Sequence, residues 1–269
     1  MSNTALQSFA KFMQDGGDST WITLALTLVA TTRAVRLARR SGRGERVPVW
    51  AWIALPMVIT AQGGLGGAIG MWRATGAFAL GTVDQAQVLA VVGICHAHNP
   101  VVLALACVAA TLAASAVLSS RAAAAARSSG RPDDGDRQER TRASSGLCGA
   151  LAGVAACVGW LIHRDNWIWM THLAQQVGRP SPFGDAPPEA IPAILGVVLA
   201  LAVGGFSFAP YARRGHVRVV RLDLIWTAAL ILVAVSLCTV GLYPGASLLK
   251  MASEGRVGGL SMILYSNIG

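Results

Sequence analysis

Charge is scarce in this chain, and acid is scarcer than base. Only 13% of its 269 residues are charged, with 13 Asp and Glu against 22 Lys and Arg. A soluble globular domain carries about 25% charged residues, so this composition excludes an ordinary water-facing surface. The 54% apolar content and mean hydropathy of +0.52 point instead to an integral membrane protein. Catalytic signatures are missing too: the chain has no nucleophile elbow, no HExxH zinc motif and no P-loop. Apart from Asp223, at the edge of an apolar run, those runs are almost free of Asp and Glu. That argues against acid/base catalysis in the membrane, and against a conventional proton relay made by this chain alone; the chain is not read as an enzyme. Cys95, Cys107, Cys148, Cys157 and Cys238 all lie in apolar segments without CxxC or mixed Cys/His ligand spacing, and are expected to pack as buried thiols. The start, "MSNTALQSFAKFMQDGGDST", lacks the basic region and small-residue cleavage pattern of a signal peptide, and no cleavage is expected.

What the chain does have is apolar length. Six runs approach the roughly 20 residues needed to span a bilayer, at residues 20 to 38, 48 to 72, 87 to 117, 146 to 163, 189 to 210 and 222 to 243. The predicted fold class is all-α: a polytopic membrane bundle of about six helices, because only helices and closed barrels satisfy the backbone in lipid and the alternating segments of a barrel are absent. The net charge of +9 is nearly all arginine and sits in three stretches between the runs. These are Arg33, Arg36, Arg39, Arg40, Arg43 and Arg46, then Arg121, Arg127, Arg131, Arg137, Arg140 and Arg142, then Arg213, Arg214 and Arg218. Such clustering predicts cytoplasmic loops, not a nucleic-acid surface, with both termini outside and the protein multi-pass in the inner membrane. Trp160, Trp167 and Trp169 in "WLIHRDNWIWM" are expected in an outer interfacial belt.

Between the runs, residues 4 to 14 place Leu6, Phe9, Ala10 and Met13 on one helical face, which fits a short amphipathic helix on the membrane as well as it fits a frayed tail. Residues 119 to 145 are polar, small and of mixed charge, and read as a cytoplasmic linker between a three-span half at 1–118 and a second half at 146–269 of unassigned role. Their alanine run can extend the third span as a helix.

Two stretches carry the candidate functional residues. "AQGGLGGAIGMW" holds small-xxx-small pairs, Gly63 with Gly67 and Gly66 with Gly70, which strip a helix face and admit a neighbour closely. Packing around a pore, between subunits or within one chain all satisfy that pattern. In "GICHAHNPVVLAL", Pro100 cannot donate to the carbonyl of His96, which predicts a kink there. His96 and His98 fall about 200° apart around a helix, so the pair does not form one metal site. His96 is then a pathway or haem residue, or a neutral histidine bonded inside the bundle. His163, Asp165 and His172 flank the aromatic cluster, where interfacial polar residues need no metal to explain them.

The first 120 or so residues resemble the MotA, TolQ and ExbB family of ion-driven motor subunits. "FAKFMQDGGDSTWITLALTLVATTRAVRLARR" is similar to that family's amphipathic start, glycine break, first span and basic exit. "GGLGGAIGMWRATGAFA" and "VDQAQVLAVVGICHAHNPVVLALACVAA" are similar to its two pore helices. The resemblance implies a homo-oligomer around single-span partner proteins that couples ion flow to mechanical work. It makes Thr60, Gln62, His96 and Asn99 the candidates to line an ion path, with no cofactor. The chain departs from the family pattern at Ala68, where a threonine is usual, at His96, where an acid is usual, and at Pro100 and Val101, where a threonine pair is usual. The cytoplasmic domain after the first span is also reduced to a short arginine-rich loop. Two other readings stay open: a membrane-anchor or assembly subunit holding haem or quinone through His96, His98 or His163, and a small transporter built from two three-span halves.

Overall fold

Ser19, Thr23, Thr27 and Thr31 recur every fourth residue along the first apolar run, a spacing that sets each hydroxyl over the carbonyl one turn back. The computed structural model describes residues 17–78, 83–127, 134–176, 189–215 and 218–253, together with Ala10, Met13 and Gln14. In it Thr23 donates to the Ser19 carbonyl at 2.9 Å, Thr27 to Thr23 at 2.7 Å and Thr31 to Thr27 at 2.9 Å. The hydroxyls of Thr23, Thr27 and Thr31 are thus satisfied inside helix α1 (Asp18–Gly42), as a membrane-spanning segment requires.

Five further helices follow: α2 (Val49–Phe78), α3 (Val83–Arg127), α4 (Asp134–Gln176), α5 (Ile191–Ala212) and α6 (Arg218–Ser253). All six are long and apolar enough to cross a membrane, and no strand occurs among the described residues. The chain is a multi-pass, all-helical membrane protein. The amphipathic segment expected at 4 to 14 lies largely outside the described residues.

The largest departure in span length is the fourth. Expected at residues 146 to 163, its membrane-compatible stretch is Gln138–Thr171. The polar residues that interrupt the apolar run in the sequence are bonded to helix carbonyls: Ser144 donates to the Arg140 carbonyl at 3.0 Å, and Ser145 crosses to the Ala116 carbonyl of α3 at 3.0 Å. Much of the 119 to 145 stretch is accordingly helical, the alanine run carrying α3 on to Arg127 and α4 starting at Asp134. Residues 128–133 lie outside the description.

α3 is central, packed against α4, α2 and α1, and more lightly against α6. Ile53 and Ile59 of α2, Val101, Val108 and Leu112 of α3, and Cys148 of α4 meet in a fully buried core. α5 lies along α4 and α6 along α2, so the last helix of the second half closes on the first half. Although consecutive in the chain, α5 and α6 barely touch. They meet at the arginine-rich end, where Tyr211 and Val220 pack with Val49 and Ala143, and diverge from there. Cys95, Cys148 and Cys238 are buried, Cys107 and Cys157 half-buried, and all five are free thiols.

That end is tied by a carboxylate. Pro48, just before α2, has no side-chain oxygen to cap the helix, and the first-turn N–H groups of a helix need partners. Val49 N–H donates to Asp223 Oδ2 at 2.9 Å and Trp50 N–H to Oδ1 at 3.1 Å, while the Tyr211 hydroxyl donates to Oδ2 at 2.7 Å. Arg140 of α4 lies beside Tyr211, and Glu139 pairs with Arg214 at 2.6 Å. The ends of α2, α4, α5 and α6 are joined through these groups.

The glycines of α2 are used within the chain. A Cβ on Gly70 would stand 2.9 Å from Ala97 Cα, one on Gly63 would overlap the Ala104 methyl, and one on Gly66 would overlap the Ser19 hydroxyl. Gly64 faces the α6 backbone at Leu237 in the same way, and Gly67 is buried. α4 and α5 repeat the device, with Gly146 against Ser207, Gly153 against Ala200 and Gly204 against Ala150. Of the packing partners the small-xxx-small pairs permit, the neighbours at Gly63, Gly64, Gly66 and Gly70 are helices of the same chain.

Candidate functional site: a recess between the first three helices

The same glycines open a space as they close others. At the end of the bundle opposite the arginine-rich turns, α1, α2 and α3 enclose a cavity of about 450 Å³, within the usual size range of small-molecule sites. Gly66 and Gly70 of α2 present bare backbone to it, Ala97 and Pro100 of α3 form its deep wall, and Ile22 and Ile69 flank it. The polar groups on it are Gln14, Asp18, Ser19, Gln62, Arg73 and His96. Asp18, Ile22, Ile69 and Arg73 are exposed, so the cavity opens on their side, whereas Gly66, Ala97 and Pro100 are buried.

Local sequence explains how the walls are set. Gly17 has φ +62° and ψ −156°, a conformation essentially restricted to glycine, and it turns the chain into α1 so that Asp18 occupies the first helical turn. Thr20 fixes that turn by donating to the Met13 carbonyl at 3.0 Å and the Gly17 carbonyl at 2.7 Å. A Cβ at Gly17 would stand 3.6 Å from Arg73 Nη1, so the guanidinium of α2 lies over the start of α1. Among the described residues Asp18 and Arg73 make no ion pair with each other. Deeper in, Gln62 Nε2 donates to Ser19 Oγ at 3.4 Å.

Below that contact the polar lining stops. Thr23 and Thr60 are buried with their hydroxyls on the carbonyls of Ser19 and Pro56, and Ala30, Ile59, Val101 and Ala104 are buried apolar core. Among the described residues the recess is blind: its lining ends above this core.

Of the four candidate path residues, Gln62 and His96 reach the recess. Thr60 is buried off it, with its hydroxyl 3.1 Å from the Pro56 carbonyl, and Asn99 is half-buried on α3, also off it. Pro100 forms part of the wall, inside an α3 that continues through it. The two histidines diverge as helix geometry predicts. His98, 6% exposed, turns to α4, where its Nδ1 lies 2.9 Å from Asn166 Oδ1 and Cys95 donates weakly to the Asn166 carbonyl at 3.9 Å. With that oxygen as acceptor the proton sits on Nδ1, and the buried Nε2 has no partner among the described residues.

Sequence reasoning missed Asn166, hidden within the aromatic cluster, and Asp18 and Arg73, which sit at opposite ends of different spans. Only the Gly17 turn and the helix-end positions of the two charges offered a signal. At the aromatic cluster itself Trp160 is exposed, 6.2 Å from the His163 ring, and Trp167 and Trp169 are half-buried. No group of three His, Cys, Asp or Glu side chains converges among the described residues. No family model, curated protein or solved structure matches the chain.

Proposed function

We propose that this membrane protein is a subunit of an ion-driven or energy-transducing complex of the inner membrane, of the kind its resemblance to the MotA, TolQ and ExbB family implies, and that the single chain does not conduct. The observation that carries the second half of this reading is the blind recess: polar groups reach Ser19 and Gln62 and stop above an apolar core. An ion route in such an assembly runs between chains or along a single-span partner. The distribution of arginines supports an orientation with the recess on the outer face and with Asp223 and the three arginine-rich turns on the cytoplasmic side.

With Gly63, Gly64, Gly66 and Gly70 of α2 each packed against a helix of the same chain, ring contacts fall to exposed apolar positions such as Leu65 and Trp72 of α2 and Trp21, Leu28 and Val29 of α1. Mass measurement of the chain in nanodiscs tests the assembly: a closed oligomer is expected, and a monomer under every lipid composition overturns it. Proteoliposomes containing the chain alone should show no proton or sodium flux. Flux from the chain alone that is lost in His96→Ala would place a route through the recess and refute the non-conducting reading.

A further inference from the structure

The recess has chemistry of its own. Asp18 and Arg73 bring one negative and one positive charge to the mouth of the same cavity, from different helices, without pairing with each other among the described residues. Opposite charges that share a small partly apolar space normally close on one another when they can, because the pair is worth more than two separately solvated groups once water is partly excluded. Here Arg73 Nη1 lies near the backbone at Gly17, and the guanidinium makes no ion pair with the carboxylate of Asp18, the next residue in sequence. The space between them opens inward onto Gly66, Gly70, Ala97 and Pro100, a wall that offers bare backbone and small apolar groups.

We propose that the recess binds a small neutral zwitterion of the α-amino acid class. Its carboxylate meets the Arg73 guanidinium, for which planar charge-assisted hydrogen bonding is well matched. Its ammonium meets the Asp18 carboxylate, and a short aliphatic side chain points inward along Ile22, Ile69, Ala97 and Pro100. Gln62 and His96, on the inner wall, supply hydrogen-bonding groups beside the ligand. The balance of one acid and one fixed base at the mouth selects for a ligand with both charges and no net charge. A simple anion would leave Asp18 facing it, and a simple cation would leave Arg73. The proposal rests on the reading that the recess is a blind site and not part of an ion route.

The test uses the full chain in nanodiscs, with binding followed by equilibrium dialysis of radiolabelled L-alanine and L-leucine, and by propionate and propylammonium as single-charge probes of similar size. The expected result is saturable binding of both amino acids, with propionate and propylammonium binding about tenfold more weakly or not at all. Asp18→Asn and Arg73→Gln, both at exposed positions, should each weaken amino acid binding by about tenfold or more. The double exchange Asp18→Arg with Arg73→Asp should recover part of the loss by reversing the ligand.

No saturable binding of either amino acid, or equal binding of propionate, overturns the proposal even if the variants fail to fold, because both readings come from the unaltered chain. So does wild-type affinity in both single variants. Oligomer mass and ion flux are measured separately, so the subunit reading can fail while binding stands, and the reverse.

Discussion

Val49 gives its backbone N–H to the carboxylate of Asp223, 174 residues away, at 2.9 Å. A helix start is usually capped by its own neighbours; here α2 is capped by α6, and the same carboxylate takes the Tyr211 hydroxyl of α5. Asp223 is 4% exposed. Replacing it with alanine leaves two N–H groups and a hydroxyl unmet at a buried site, each costing about 1–3 kcal/mol. Asp223→Ala should therefore sharply lower the thermal midpoint in detergent, more than Tyr211→Phe, which removes one donor. A double-mutant cycle between the two should be strongly non-additive. Equal effects would mean that the carboxylate does not hold the end of α2.

Close packing makes a second prediction by contrast. Gly70→Val forces a Cβ to 2.9 Å from Ala97 Cα, a backbone atom with no rotamer to yield, and overpacking of this kind costs about 1–3 kcal/mol. Gly149→Val, on the exposed face of α4, meets nothing within 4 Å. Folded yield and thermal stability should fall for the first and hold for the second.

The His98 and Asn166 pair bridges α3 and α4 inside the membrane region. Interhelical hydrogen bonds there contribute on average about 0.6 kcal/mol and at most about 1.7. Asn166→Leu should thus cost little more than that, and His98→Leu combined with Asn166→Leu should recover most of the loss, because both unmet groups are then gone. A large loss that the double variant fails to recover would assign the pair a role beyond packing.

Orientation is checked by labelling. Gly42→Cys is exposed at the end of α1 with nothing within 4 Å, and Glu189→Cys is exposed just ahead of α5. A membrane-impermeant maleimide added to intact cells should label the second and not the first. The reverse pattern would invert the topology and set the recess toward the cytoplasm.

The six spans were legible because lipid imposes a local rule: each helix must satisfy its own backbone and present apolar groups, and both requirements are written in consecutive residues. Span four shows where the rule runs short, since Ser144 and Ser145 count as polar in the sequence yet bond to carbonyls within and beside their own helix. The glycines announced close packing without naming the neighbour, because a missing side chain does not encode what fills its place. Gln62 and His96 were legible as polar groups in apolar helices. Asp18 and Arg73 were not, for each is ordinary at a helix end and their shared cavity comes from three helices meeting. Asp223 was visible as an isolated acid, but its partners Val49 and Tyr211 lie in other segments, and no periodicity connects them.

α5 rests on α4 alone over most of its length, leaving Leu195, Leu199 and Phe206 exposed. Acyl chains are as apolar as these side chains, so nothing like water expulsion presses α5 home; the close fit of Gly146 and Gly153 of α4 against α5, and of Gly204 of α5 against α4, does. Bilayer thickness and lipid order therefore act on this helix directly. A short-chain detergent that leaves α3 undisturbed would release α5 first, so the choice of solubilising agent decides whether the second half of the protein is recovered in its native arrangement.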